Sequence, residues 1–441
     1  MIKFYDIILF DMKKSILILI LLIFSQSASF AINEEVKKVY LQEAIDAALK
    51  NNIDLQAAQL EINIAKNNIK SANRLQNPEF NAFYNFGASG WTEPRTLGLS
   101  QTIEIAKRNA RKNLAKSNLK LVETNVGYTK FDLKLDVREA YINLVAAKSV
   151  LATLEQQQHL QEELLNIAQK RVKAKEVPEI DVIQAEIALN QMITQVNTAK
   201  VNVKSALSDF NKIINDPNKT TYDSMDKLFS EENNFDEMLT PPPDTKFPTC
   251  DEIIEEALEN RYDIQIAKQE IDVAEKNLTV VSRQRIPDIQ ILGGYGYQTA
   301  THTDDGRFNS GGYAGANIVN IPLFYTYAPE IKNATLKLQQ AELKYQSTRN
   351  KAIKDISAAY DKFLTAAENL KYYESKILTS SEKLIDISKD AYESGESDIT
   401  SLIVMKQSYK SIIVGYTYAL AEYYNSWTNF LREVNDENFD L

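Results

Sequence analysis

The chain has 441 residues, 44% of them apolar and 25% charged, a balance that excludes both a disordered polymer and a bundle of membrane-spanning helices. A single cysteine, Cys250, excludes a disulfide framework, and two distant histidines, His159 and His302, argue against a multi-histidine metal site. The formal charge of −10 argues against nucleic acid as the main partner.

Residues 1–31 read as a secretory signal peptide. Lys13 and Lys14 precede an apolar run from Ile16 to Phe24, and the small residues Ser29 and Ala31 place a cleavage site after Ala31. That run is too short for a bilayer core, which needs about 20 apolar residues. Asp6 and Asp11 are unusual in a basic leader, and Met12 offers an alternative start. The leader holds three Lys and two Asp, so its removal takes away +1 and leaves −11. No later apolar run approaches the length of a membrane helix, so any crossing must be made by strands.

Proline and glycine then divide the exported chain. No proline falls in 95–177 or after Pro329, and because an interior proline costs a helix about 3 kcal/mol, these gaps permit very long helices. Ten of the 13 glycines lie in 87–98 and 293–315. A first repeat, 32–214, is predicted as a helix, strands at 79–87 and 96–103, a long helix over 104–177 and a return helix over 180–214. In the long helix Leu133, Val137, Ala140, Leu144, Ala147, Leu151 and Leu154 recur at alternating spacings of 4 and 3, the seam of a coiled coil.

The glycine-rich stretches alternate with period two instead. Phe80, Ala82, Tyr84 and Phe86 share one face, as do Leu97, Leu99 and Ile103. Ile289, Ile291, Tyr295 and Tyr297 continue the pattern, and Tyr313 to Leu323 alternates poorly. Strands of about nine to eleven residues with one apolar face suit either a transmembrane barrel or a surface hairpin.

Residues 215–249 read as a polar, proline-bearing linker, after which the chain repeats itself. Glu43, Ala48, Leu49, Asn51, Asp54, Gln56 and Ala58 recur 209 positions later as Glu252, Ala257, Leu258, Asn260, Asp263, Gln265 and Ala267, and Arg74 and Pro78 recur as Arg283 and Pro287. Val137, Ala140, Tyr141, Leu144 and Leu151 are echoed by Ile356, Ala359, Tyr360, Phe363 and Leu370. The second repeat, 250–441, is therefore predicted as a helix, strands at 288–298 and 313–323, and helices over 330–394 and 398–434.

The spaced Leu, Ala and Asn positions from Leu41 to Pro78, their copy from Cys250 to Pro287, Leu99-Ser100-Gln101, Ile321-Pro322-Leu323-Phe324 and Asp181-Val182 resemble the TolC-type outer-membrane efflux family. The resemblance covers nearly the whole mature chain. It implies a mainly α fold with membrane β: long coiled-coil hairpins forming an α-barrel, and four strands per protomer of a shared transmembrane β-barrel. It also implies a homotrimer, integral in the outer membrane with a long periplasmic extension, coupled through a periplasmic adaptor to an inner-membrane pump. No cofactor or metal is implied. The residues alone support the oligomer in part, because four strands cannot close a barrel and an open edge in lipid leaves backbone groups unpaired. The alternative reading is a periplasmic adaptor or structural coiled coil, which does not account for the alternating strand pairs.

The helix reversals carry the candidate adaptor contacts: Lys173, Lys175, Glu176, Val177 and Pro178 in the first repeat, and Glu393, Gly395, Glu396 and Ser397 in the second. The family pattern has a glycine near each tip, and Lys175 replaces it in the first. Asp181, Asp398 and Ser401 are candidates for the constriction, with a solvated turn as the alternative for Glu396 and Asp398. Lys107, Arg108 and Arg111 either anchor the sheet–helix junction to lipid phosphates or form a solvated helix face, and Trp91 is a candidate for an aromatic girdle or an exposed loop. His302 with Asp304 and Asp305 falls in a predicted polar outer loop. No phosphate-cradling loop and no nucleophile or zinc-protease motif is present, which argues against an enzyme.

Overall fold

A computed structural model of the chain describes residues 36–84, 93–218, 220–226, 248–299, 309–394 and 396–436. The predicted signal peptide, Trp91, the loop holding His302, Asp304 and Asp305, and Gly395 lie outside these residues. The first half runs β1 (Val36–Val39), α1 (Leu41–Asn51), α2 (Ile53–Ala72), β2 (Glu79–Tyr84), β3 (Glu93–Ile103), α3 (Lys107–Lys173), α4 (Ile180–Ile214) and β4 (Thr221–Ser224). The second runs α5 (Cys250–Asn260), α6 (Tyr262–Ser282), β5 (Asp288–Thr299), β6 (Asn309–Val319), α7 (Ala328–Tyr372), a π turn (Tyr373–Leu378), α8 (Thr379–Glu393) and α9 (Ile399–Val434).

The 67 residues of α3 span about 100 Å at 1.5 Å per residue. α4 returns along it, and α7–α8 with α9 make the second hairpin. The seam residues Val137, Ala140, Leu144 and Leu154 are buried, as the spacing requires. The largest core lies where both hairpins meet the short helices. Tyr141 packs edge-on to Phe210 at 5.9 Å, and Phe363 lies within 5.5 Å of Tyr423 and 5.0 Å of Trp427. Burying a large side chain of this kind stabilises by about 1.5–3 kcal/mol, so this knot of rings helps hold the two hairpins together. Arg432 of α9 reaches Asp136 at 2.7 Å and Asp132 at 3.4 Å on α3, adding a charged clasp beside it.

Three features depart from the sequence reading. The segment 215–249 is not all linker, because β4 pairs in parallel with β1, Val36 opposite Thr221 and Val39 opposite Ser224. Tyr141 donates to Asp226 at 2.6 Å and so ties that pair to α3. The last strand ends at Val319 instead of Leu323: Asn320 is left-handed at φ 58° and Pro322 lacks a donor, so the ladder cannot continue. The helix expected over 330–394 is interrupted by the π turn.

The four longer strands form one antiparallel sheet in the order β2-β3-β5-β6. Phe80 stands opposite Leu99, Leu99 opposite Gly293, and Gly293 opposite Ala314, and this register assigns every side chain to a face.

Candidate functional site

One face of the sheet carries Phe80, Leu97, Leu99, Ile291, Tyr295 and Ile318, each more than half exposed. The other carries Asn81, Thr96, Ser100, Thr102, Gln290 and Asn317 beside the apolar Phe83 and Leu292, with glycine at 98, 294, 296, 311 and 315. On that polar face Ser100 joins three strands, accepting from Asn81 at 3.1 Å and from Gln290 at 3.2 Å. Tyr313 lies across it: its hydroxyl fills the space that a Cβ at Gly98 would need, and a Cβ at Gly294 would come 2.6 Å from the same oxygen. The glycines thus let an aromatic ring lie flat along three strands. Among the described residues β2 and β6 each have one strand neighbour, so the sheet ends in two open edges.

The sheet joins the helices through charges spent within the chain. Lys107 is buried and meets buried Asp288, the first residue of β5, at 2.7 Å. Asn320 donates to the same carboxylate oxygen at 3.0 Å. Arg108 donates to the Asn73 carbonyl at 2.8 Å, and Arg111 forms a two-pronged pair with Glu104. Lys107 is thus buried within the chain, whereas Arg108 and Arg111 remain partly exposed beside their internal partners. Each closes an ion pair or caps a carbonyl where α2, α3 and β5 converge.

At the far end the first tip is a Schellman turn: the Lys175 N–H donates to the Val172 carbonyl and the Glu176 N–H to the Arg171 carbonyl, both at 2.9 Å. Lys175 has φ 63°, the left-handed conformation that glycine adopts without the steric cost of a Cβ. Lys173, Glu176 and Pro178 are exposed and Val177 is half-buried. At the second tip the Glu396 N–H donates to the Ala391 carbonyl at 2.9 Å, and Glu396 is exposed. Asp398 is a helix cap: its carboxylate accepts the Ser401 N–H at 3.0 Å. Hydrogen bonds from Ser401 hold its pKa below the usual carboxylate value.

The two tips also grip one another. The Arg171 guanidinium lies 5.1 Å from the centre of the buried Tyr392 ring, a cation–π contact between α3 and α8. Thr400 donates to Gln184 at 2.8 Å, and Leu164, Ala168, Ala185, Ile399 and Leu402 close an apolar cluster around Tyr392. Asp181 is half-buried and Ser401 exposed on the neighbouring first turns of α4 and α9. The Arg171–Tyr392 contact escaped sequence reasoning because its partners stand 221 positions apart (392 minus 171) with no periodic signature.

Among the described residues no helix is long and apolar enough to cross a membrane, and no cluster of His, Cys, Asp and Glu could hold a metal. The chain is similar to the cobalt-zinc-cadmium resistance protein CzcC of Cupriavidus metallidurans, 18% identical over 394 residues and 89% of each chain. It is also similar to the outer membrane efflux protein BepC of Brucella suis, 22% identical across 74% of this chain and 70% of that protein. The fold is that of the Campylobacter jejuni CmeC outer membrane channel, with a TM-score of 0.73 at 20% identity over 91% of this chain and 87% of that one. It is equally that of the open-state MtrE outer membrane channel of Neisseria gonorrhoeae, with a TM-score of 0.70 at 17% identity over 90% and 89%. The model of the outer membrane efflux proteins matches residues 44–215 and 253–411, which favours a channel over an adaptor or structural coiled coil. The chain belongs to the outer membrane efflux protein family.

Proposed function

We propose that three copies of this chain close one transmembrane β-barrel and one helical tunnel, a passive duct integral to the outer membrane and extending across the periplasm. The observation that carries this is the two-faced sheet with open edges at β2 and β6. Its apolar side chains stand exposed in the single chain, whereas in lipid they would be solvated by acyl tails. Each unpaired backbone group in lipid costs several kcal/mol, so β2 of one copy must pair with β6 of the next. The polar, glycine-rich face then lines the lumen.

The internal repeat gives each chain two tips. The first, Lys173 to Pro178, and the second, Glu393 and Gly395 to Ser397, are the surface for a periplasmic adaptor, through which an inner-membrane pump supplies the energy. The resting constriction lies near Asp181, Asp398 and Ser401, and opens when the Arg171–Tyr392 and Thr400–Gln184 contacts break and the hairpins part. Asp398, already engaged as a helix cap, is the least free of the three to face cargo.

Intersubunit cross-linking tests the closure. Phe80 on β2 and Ile318 on β6 both face the apolar side at the same end of the sheet. Directly opposed strand residues hold their Cβ atoms about 4.5–5.5 Å apart. With Cys250→Ser as background, Phe80→Cys/Ile318→Cys should oxidise in membranes to disulfide-linked dimers and trimers. Monomer alone, or release of the protein by carbonate wash, would refute the shared barrel.

A further inference from the structure

The polar face of the sheet is almost free of charge. Among the described residues of its four strands, only Glu79, the first residue of β2, and Asp288, the first residue of β5, carry a charged side chain on that face. Both stand at the foot of the sheet, where the helices begin. They are also counterparts, because the offset of 209 that relates Pro78 to Pro287 relates Glu79 to Asp288 (288 minus 79). Their surroundings differ. Asp288 is buried and neutralised by Lys107 at 2.7 Å. Glu104, the acid that follows β3, is held in its two-pronged pair with Arg111. Glu79 is exposed and makes no ion pair among the described residues.

The repeat explains the difference. Ser100 stands opposite Glu79, and Val319 stands opposite Asp288, so this part of the chain recurs at an offset of 219 (319 minus 100), as Leu151 does in Leu370 (370 minus 151). At that offset the counterpart of Lys107 is Thr326. The second repeat thus keeps the acid and lacks the base. When copies close into a ring, the start of α7 stands toward β2 of the next copy as the start of α3 stands toward β5 within one chain. It brings a threonine where the chain itself supplies a lysine. Glu79 is nonetheless held in place. Buried Ser100 accepts from Asn81 and Gln290, and the one proton of its hydroxyl goes to the Glu79 carboxylate at 3.4 Å.

We propose that Glu79 sets the charge preference of the barrel. Three copies place three uncompensated carboxylates on the lumen wall at the junction of sheet and helices, where they concentrate cations and repel anions. The inference rests on the reading that the polar face lines the lumen of a three-copy duct, and it assigns selectivity to one side chain of that face. Asp288 is acidic and lies on the same face, but its pairing with Lys107 leaves no net charge.

The test uses the full-length protein in planar bilayers under a KCl gradient. The unaltered channel should favour potassium over chloride, more at about 0.1 M salt than at about 1 M, because the screening length falls from about 10 Å to about 3 Å. Glu79→Gln should lower the potassium-to-chloride permeability ratio at least about twofold, and Glu79→Lys should invert it. Lys107→Met/Asp288→Asn removes a neutral pair and should leave the ratio as it is. Glu79→Cys on the Cys250→Ser background separates charge from side-chain shape. A sulfonate-bearing methanethiosulfonate should restore the unaltered ratio, and a trimethylammonium-bearing one should shift it toward chloride. An unchanged ratio in Glu79→Gln, equal ratios in the two labelled forms, or a thiol at position 79 that neither reagent reaches would overturn the proposal while leaving the duct in place. If the unaltered protein passes no current, the duct reading fails and the proposal falls with it.

Discussion

The ion pair between Lys107 and Asp288 offers a quantitative test of how the sheet is held to the helices. Both side chains are buried, 8% and 2% exposed, with Nζ and Oδ2 2.7 Å apart. The pair joins the first turn of α3 to the first residue of β5, and so one repeat to the other. Removing one partner strands the other charge away from water, at a cost of about 3–5 kcal/mol. Replacing both with neutral groups of similar volume is far less costly, because the desolvation penalty disappears with the charges. Lys107→Met and Asp288→Asn should therefore each destabilise by about 3–5 kcal/mol, and the double variant should recover most of that loss. Urea denaturation of the detergent-solubilised protein, followed by circular dichroism, gives the double-mutant cycle. Additive losses, or a single substitution costing less than about 1 kcal/mol, would refute the claim that this pair is a buried strut.

Other consequences are open to direct measurement. Lys175→Gly should stabilise the first tip by about 1–2 kcal/mol, because the left-handed backbone at φ 63° strains any residue with a Cβ; slower amide exchange over 171–176 would report it. Gly294→Ala should abolish barrel assembly, since its Cβ would meet the Leu97 carbonyl and come within 2.7 Å of the Gly98 Cα, both backbone atoms that cannot turn aside. Gel mobility without heating would then show monomer alone. Asp398 has its pKa lowered by Ser401, so its capping contribution is complete above the unfolded-state value and vanishes as pH falls through the folded one. Protease cleavage at the second tip should accordingly rise as pH falls from about 5 to about 2, and Asp398→Asn should flatten that rise.

Much of this architecture was legible in the residues, because its signals are local and repeated. The 4-3 spacing from Leu133 to Leu154 marked a buried seam, and the alternation in Leu97, Leu99 and Ile103 marked one face of a strand. What could not be read depended on partners far apart in the chain. β1 and β4 are four residues each and pair across 185 positions (221 minus 36), too short to carry a period. Lys107, Arg108 and Arg111 looked like a basic cluster beside a membrane, and only the fold brings Asp288 and the Asn73 carbonyl to them. The π turn was visible in principle, as the change in offset between repeats from 219 (370 minus 151) to 220 (396 minus 176), but only once both tips had been matched by their turn hydrogen bonds. At the second tip Asp398 read as a free acid until its bond to Ser401 made it a cap.

The mass of the detergent-solubilised particle, obtained by light scattering with the bound detergent subtracted, addresses the shared wall most directly. Three chains of mature protein, aggregating when detergent is withdrawn, is the predicted result. A single chain that stays dispersed in plain buffer would mean that β2 and β6 need no neighbours, and would contradict the account.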